Sequence, residues 1–96
     1  LAISEEIGLF ERGKSFLAVR KGETKIDGRI PINPSGGLKS KGHPVGGTGV
    51  SQVVELVRQL RGEAEPGRQV KDPRVGMSVN FGGFGNNVVA VICAKE

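Results

Sequence analysis

Between two glycine-rich turns sits the only histidine of the chain, in the run Asn33-Pro34-Ser35-Gly36-Gly37-Leu38-Lys39-Ser40-Lys41-Gly42-His43-Pro44-Val45-Gly46-Gly47-Thr48-Gly49. Glycine and proline this dense force the backbone to turn twice before regular structure resumes. Glycine costs conformational entropy in regular structure, so a cluster of it suggests a close approach to backbone. Imidazole is the one side chain whose ordinary charge change falls near neutral pH, which makes His43 the first candidate for proton transfer.

The flanking sequence dictates α/β structure. Leu1 to about Leu9 reads as the end of a helix, with Ile3, Ile7 and Phe10 on one face and Gly8 near its stop. Glu11 to Arg29 reads as loop, punctuated by Gly13, Gly22 and Gly28, with Phe16, Leu17 and Val19 in a short extended piece. Ile30 to Asn33 reads as a short strand, and Pro34-Ser35-Gly36-Gly37 as a turn. Pro44 suits the first position of a helix, which places His43 at or beside its N-cap. Val50, Val53, Val54, Val57 and Leu60 then recur at helical steps and predict one buried stripe, with Gln52, Glu55, Arg58 and Gln59 toward solvent. Glu55 and Arg58 can pair across a turn, and Arg61-Gly62 is a C-terminal stop. Glu63 to Pro73 is a polar loop. Val75, Met77, Val79 and Phe81 alternate as one strand face, Phe81 to Asn87 makes a turn, and Val88 to Cys93 is an apolar run predicting a strand covered on both faces. The last two strands pair as an antiparallel hairpin, with helices packed on a sheet.

Size and charge narrow the function. Ninety-six residues suffice for one small domain at most. The chain starts with a helix already under way at Leu1, so residues 1–96 read as one segment of a longer polypeptide. Fourteen Lys and Arg against 10 Asp and Glu give a net charge of +4, but with no Tyr, no Trp and four Phe. A stacking platform for nucleic acid is therefore not supported; a solvated basic surface is expected, with Lys39 and Lys41 available to a polyanion. A single cysteine excludes an internal disulfide framework and a multi-cysteine metal site, and Cys93 reads as a small buried hydrophobe. No apolar run approaches the about 20 residues needed to cross a bilayer, and a cytoplasmic protein without membrane or metal partners is the simplest expectation.

At the helix start the macrodipole discourages protonation of His43, leaving a neutral imidazole able to take a proton from a thiol or hydroxyl. The plainer alternative is a histidine that merely caps the helix. Gly46, Gly47 and Gly49 would each cost about 1 kcal/mol inside a helix, which argues for close packing or room for a ligand. Gly82-Gly83 offers a second turn whose backbone N–H groups can face a developing oxyanion, if the hairpin end lies near His43; otherwise it is an ordinary hairpin. An anion cradled by Gly46 to Gly49 is also open, although no phosphate-loop or dinucleotide fingerprint accompanies it. Base plus oxyanion donors imply acyl transfer. Ser35, Ser40, Thr48 and Ser51 lie near the histidine, but none sits on a nucleophile elbow, and Cys93 lies at the wrong end of its strand. The chain therefore holds half of a catalytic constellation.

Asn-x-x-Gly-Gly at Asn33 to Gly37, Gly-His-Pro-x-Gly-x-x-Gly at Gly42 to Gly49, and a Gly-Gly turn before the last strand together resemble the C-terminal end of thiolases. The resemblance covers essentially the whole chain, about the last quarter of a thiolase. The stretch Gly22 to Gly37 is similar to the archaeal and bacterial branch related to the sterol carrier protein-type thiolases, and Leu1 to Gly13 resembles the helix after that branch's His-Asp-x-Phe motif. The resemblance implies that His43 activates a cysteine outside this chain and helps to hold the thioester oxygen, and that Gly82 donates an oxyanion-hole N–H. It implies substrate contacts from Asn33, Ser35, Gly36, Gly37, Asn80 and Gly83. It implies an acyl-CoA substrate, no cofactor beyond coenzyme A, the remainder of the thiolase chain as partner, and a homodimer or homotetramer.

One position departs. Many thiolases carry Cys-x-Gly where this chain has Asn80-Phe81-Gly82, and an amide cannot abstract a proton. The expected reaction is thiolytic cleavage of a 3-oxoacyl-CoA or its reverse condensation, with the isolated segment inactive. A decarboxylating 3-oxoacyl synthase of the same fold and a non-catalytic thiolase-like scaffold subunit are the alternatives.

Overall fold

The computed structural model describes residues 1–96. Its elements in chain order are α1 (Ala2–Glu6), α2 (Ser15–Arg20), α3 (Gly37–Lys41), α4 (Thr48–Arg61), β1 (Val75–Gly82) and β2 (Asn87–Ala94). They fall into two units, Leu1–Pro34 and Ser35–Glu96. The expected α/β class and C-terminal antiparallel hairpin are both present.

In the first unit a single carboxylate ties the two helices together. Glu5 accepts hydrogen bonds from Gly13 N (2.9 Å), Ser15 N (3.1 Å) and Ser15 Oγ (2.6 Å). These donors belong to the open start of α2, where an anion is favoured. Gly13 N, the Ser15 hydroxyl and Ser15 N, in that order of effect, hold the Glu5 carboxyl down at about 2 from its ordinary 4.5. Ser15 and Ala18 are the buried residues of α2.

Residues Phe16 to Val19 are therefore helical, not extended. The apolar residues alternate over too short a span to distinguish the two periods, and the distant Glu5 cap is not visible locally. The expected strand at Ile30–Asn33 is likewise absent. Ile30 N and Ile32 N bond Glu23 O (2.9 Å) and Thr24 O (3.1 Å), which folds residues 22–32 into a tight loop. Asn33 then takes a left-handed φ of 49° that ends extended backbone.

In the second unit α4 crosses β1. Their contact is made by the small side of the hairpin. Gly76, Ser78 and Asn80 pair with Cys93, Val91 and Val89 of β2 on the face toward the helix. A Cβ on Gly76 would stand 2.7 Å from Leu56 Cδ2, so the helix side chain fills the space above that glycine. Gln52 Nε2 donates to Val79 O at 3.1 Å. The sheet-facing line of α4 is thus Gly49, Gln52, Leu56 and Leu60.

The expected buried valine stripe is largely open: Val50 is 67% exposed, Val54 43% and Val57 37%, while Val53 is half-buried and Leu60 of that set is buried. Gln52 and Gln59, expected toward solvent, are half-buried and buried respectively. Helical periodicity finds the stripe but not its side, because a strand bearing Gly76 and Ser78 can accept polar, bondable side chains from the helix.

Gln59 earns its burial through hydrogen bonds. Its amide donates to Arg68 O (2.6 Å) and Glu55 Oε1 (3.2 Å) and its Oε1 accepts from Val70 N (2.9 Å) and Gln69 Nε2 (3.2 Å). This closes the loop after α4 onto the helix. Glu55 accordingly engages Gln59, not the expected Arg58. Helix α4 stops at Gly62, whose φ of 73° is the left-handed cap expected there.

The hairpin register runs from Val75↔Ala94 to Gly82↔Asn87. Val75, Met77, Val79 and Phe81 do share one face, opposite α4, and they pair with Ala94, Ile92, Ala90 and Val88. That face is open: Val75 is 65% exposed and Ile92 68%. The apolar run of β2 is therefore not covered on both faces within this chain. No helix is long and apolar enough to cross a membrane.

Candidate functional site

The connection from α3 to α4 brings His43 to the turn end of the hairpin. Helix α3, five residues long, was not anticipated behind the Ser35–Gly37 turn; it begins after Gly36 (φ 92°) and ends at Gly42 (φ 83°). The backbone then closes a turn in which Gly47 N bonds Pro44 O at 3.2 Å. Pro44 is not the first helical residue and His43 is not the N-cap. Helix α4 starts at Thr48 with Gly47 as its N-cap and no side-chain cap. Gly46 and Gly47 thus lie outside the helix and carry no helix penalty; the glycine turn, with Gly46 at φ 74°, displaces the start by one turn. The dipole reasoning for His43 as a cap therefore lapses.

The imidazole is fixed by a different contact. His43 Nδ1 lies 2.6 Å from Thr48 Oγ1, and Thr48 Oγ1 lies 3.3 Å from Pro44 O. Thr48 is 3% exposed, whereas His43 is exposed to solvent. The ring is held through Nδ1 on a residue that is otherwise open to solvent.

His43 opens onto a cleft of about 610 Å³ that Thr48, Gln52, Asn80, Gly82 and Gly83 also line. The hairpin end and the histidine therefore face one space. Gly82 leaves it open: a Cβ there would meet nothing nearer than Asn87 Cβ at 4.0 Å. The turn itself is Gly83 to Asn86, shorter than the predicted Phe81–Asn87, with Gly82 and Asn87 forming the last rung of the ladder. Asn80 is positioned by a close approach to α4, since a Cβ on Gly49 would lie 3.0 Å from Asn80 Nδ2. Gln52 Oε1 is buried there without a hydrogen-bond partner.

The remaining candidates lie elsewhere. Asn33 belongs to the first unit, and Ser35, Gly36 and Gly37 lead into α3; none of the four lines the cleft. Lys39 and Lys41 occupy the last turn of α3. Cys93 pairs with Gly76, six residues and roughly 20 Å along the strand from Gly82, and lines a separate depression with Val57 and Leu60. In the sequence Thr48 is only one of several hydroxyls near the histidine. Its spacing from His43, one helical start away, was the signal for its contact with the ring. Gln52 was assigned to solvent, and no local signal contradicts that.

The sequence is similar to known proteins along nearly its whole length. The family described as thiolase C-terminal domain-like matches residues 1–95. The chain belongs to that family. It is 48% identical over 91 residues to the acetyl-CoA acetyltransferase of Methanothermobacter thermautotrophicus, covering 95% of this chain and 24% of that protein. It is 40% identical to the acetyl-CoA acetyltransferase of Methanocaldococcus jannaschii, with 100% of this chain and 26% of that protein covered. Sterol carrier protein 2 of Oryctolagus cuniculus is 47% identical over 91% of this chain and 16% of its own length. The chain thus spans 16–26% of the length of each of these relatives. The resemblance drawn from the Gly-His-Pro and Gly-Gly motifs, including its archaeal and sterol carrier branches, agrees with these matches.

Proposed function

We propose that this chain is the C-terminal segment of an acyl-CoA acetyltransferase of the thiolase type. The observation that carries this reading is the single cleft shared by His43 and Gly82. His43 takes the proton of a cysteine thiol supplied by the rest of the polypeptide. The thiolate attacks the 3-oxo carbon of a 3-oxoacyl-CoA and the carbon–carbon bond breaks. The shortened acyl group stays on the sulfur as a thioester, and the acetyl-CoA enolate takes a proton from an acid supplied by the rest of the polypeptide and leaves. The thiol of a free coenzyme A then accepts the acyl group, and the released cysteine sulfur regains its proton. The N–H of Gly82 faces the oxygen on which negative charge develops, where an oriented donor is most effective. The reverse sequence is the condensation. No cofactor beyond the coenzyme A of the substrate is required, and the Lys39 and Lys41 charges favour its phosphates. Asn80 and Gly83, which line the same cleft, complete the substrate surface. The open face bearing Val75, Met77, Phe81 and Ile92 packs against the remaining polypeptide of a cytoplasmic homodimer or homotetramer.

Names of the archaeal relatives support the reaction class, and the absence of a nucleophile beside His43 in this chain agrees with a partner segment. The test is release of acetyl-CoA from a 3-oxoacyl-CoA by the full-length protein. His43→Asn is expected to lower turnover by a factor on the order of 10²–10⁴, the range of one proton-transfer group. Full thiolysis by that variant would refute the assignment.

Asn80 supports a second reading, a non-catalytic thiolase-like subunit, because an amide at this position cannot exchange protons. In that case His43→Asn leaves the protein's biological role unchanged.

A further inference from the structure

The contacts of Thr48 determine more than its own placement. A threonine hydroxyl has one proton and two lone pairs. At Thr48 that oxygen has two neighbours at hydrogen-bond distance, His43 Nδ1 at 2.6 Å and Pro44 O at 3.3 Å. The residue is 3% exposed, so water does not substitute for either. Pro44 O can only accept. Both contacts are hydrogen bonds under one assignment alone: the hydroxyl donates to Pro44 O, and Nδ1–H donates to the hydroxyl. If the hydroxyl donated to the ring instead, the approach to Pro44 O would set two oxygens together without a proton between them.

We infer that Thr48 is a positioning residue that holds His43, which lines the cleft, as the Nδ1–H tautomer and so leaves the basic lone pair on Nε2. The consequence is chemical. An imidazole protonated only at Nδ1 is a base at Nε2, whereas the opposite tautomer is a donor there. On accepting a proton at Nε2 the ring keeps its Nδ1–H, so the chain from Nδ1 through Thr48 Oγ1 to Pro44 O stays intact. The proton moves to Nε2 and no second group has to rotate. The role in turnover rests on the thiolase reading; the tautomer does not.

The test separates the two. Solid-state ¹⁵N spectra of the full-length protein with labelled histidine, with the His43 signal identified by its loss in His43→Asn, report which nitrogen is protonated. Neutral His43 is expected to show protonated Nδ1 and bare Nε2. Thr48→Ser keeps this pattern, and Thr48→Val shifts His43 toward the Nε2–H form that free imidazole of histidine favours. Protonated Nε2 in the unaltered protein, or an unchanged tautomer in Thr48→Val, overturns the proposal. If the protein performs thiolysis, Thr48→Val lowers kcat by roughly ten- to a hundredfold, the scale of a misplaced catalytic group, with KM unchanged. The same substitution in the His43→Asn background then has no further effect; an equal loss there also overturns the proposal. A protein without thiolase activity but with the Nδ1–H tautomer refutes the functional assignment and leaves the positioning role standing.

Discussion

At the scale of single residues, two side-chain environments yield direct expectations. Gly82 has neither a left-handed φ nor a neighbour within contact of a built Cβ. Gly82→Ala is therefore expected to fold with an unchanged melting temperature, while raising KM for a 3-oxoacyl-CoA or lowering turnover, because the methyl enters the space where substrate must approach the amide. Equal loss of stability and activity would mean that the glycine serves the hairpin instead. Glu5 offers a pH test. Its carboxyl is held at about 2 against an ordinary 4.5 by the Gly13 and Ser15 donors. The folded value lies below the unfolded one, so its contribution is fully present above about 4.5 and disappears as pH falls toward 2. Protection of the Gly13 and Ser15 amides, taken relative to their intrinsic exchange rates at each pH, should fall across that window, and Glu5→Gln should flatten the response.

At the scale of elements, α4 is held by what Gln59 closes as well as by what its apolar residues bury. Replacing Gln59 with Leu leaves Val70 N without its acceptor, and an orphaned buried donor costs about 2 kcal/mol. Exchange of the Val70 amide should then rise roughly thirtyfold, with a smaller change at the middle of α4. Gln59 also marks where a sequence ceases to be legible. Helix α4, its Gly62 stop and the two final strands follow from local periodicity and turn chemistry, so they could be read in advance. The side of α4 that meets the sheet could not, because it depends on Gly76 and Ser78 lying beneath Leu56 and Gln52, a relation between residues far apart in the chain. Helix α2 was hidden for the same reason: its cap, Glu5, lies ten residues from Ser15. In the site, the glycine turns announced His43 and Gly82, but a four-residue shift of the helix start replaced a capping histidine by one anchored through Thr48.

At the scale of the whole molecule, apolar side chains outnumber the places to hide them. Ala18 and Leu60 are the only buried hydrophobic residues, whereas Val75, Phe81, Val88 and Ile92 are 46–68% exposed along one hairpin face. A contiguous apolar surface of that kind promotes association. The 96-residue chain expressed alone should bind a hydrophobic dye and self-associate with rising concentration by sedimentation. Ile92→Thr with Val88→Thr should weaken both, and their persistence would locate the sticky surface elsewhere.

Helix α4 is fastened at two points. Its first residue grips the imidazole, and one turn later Gln52 is bonded to the carbonyl of Val79. A slip of the helix by a single turn, about 5.4 Å, would carry the ring off its mark and break the strand bond together. The helix thus behaves as a ruler laid between loop and hairpin, and the spacing of base and amide is gauged by it.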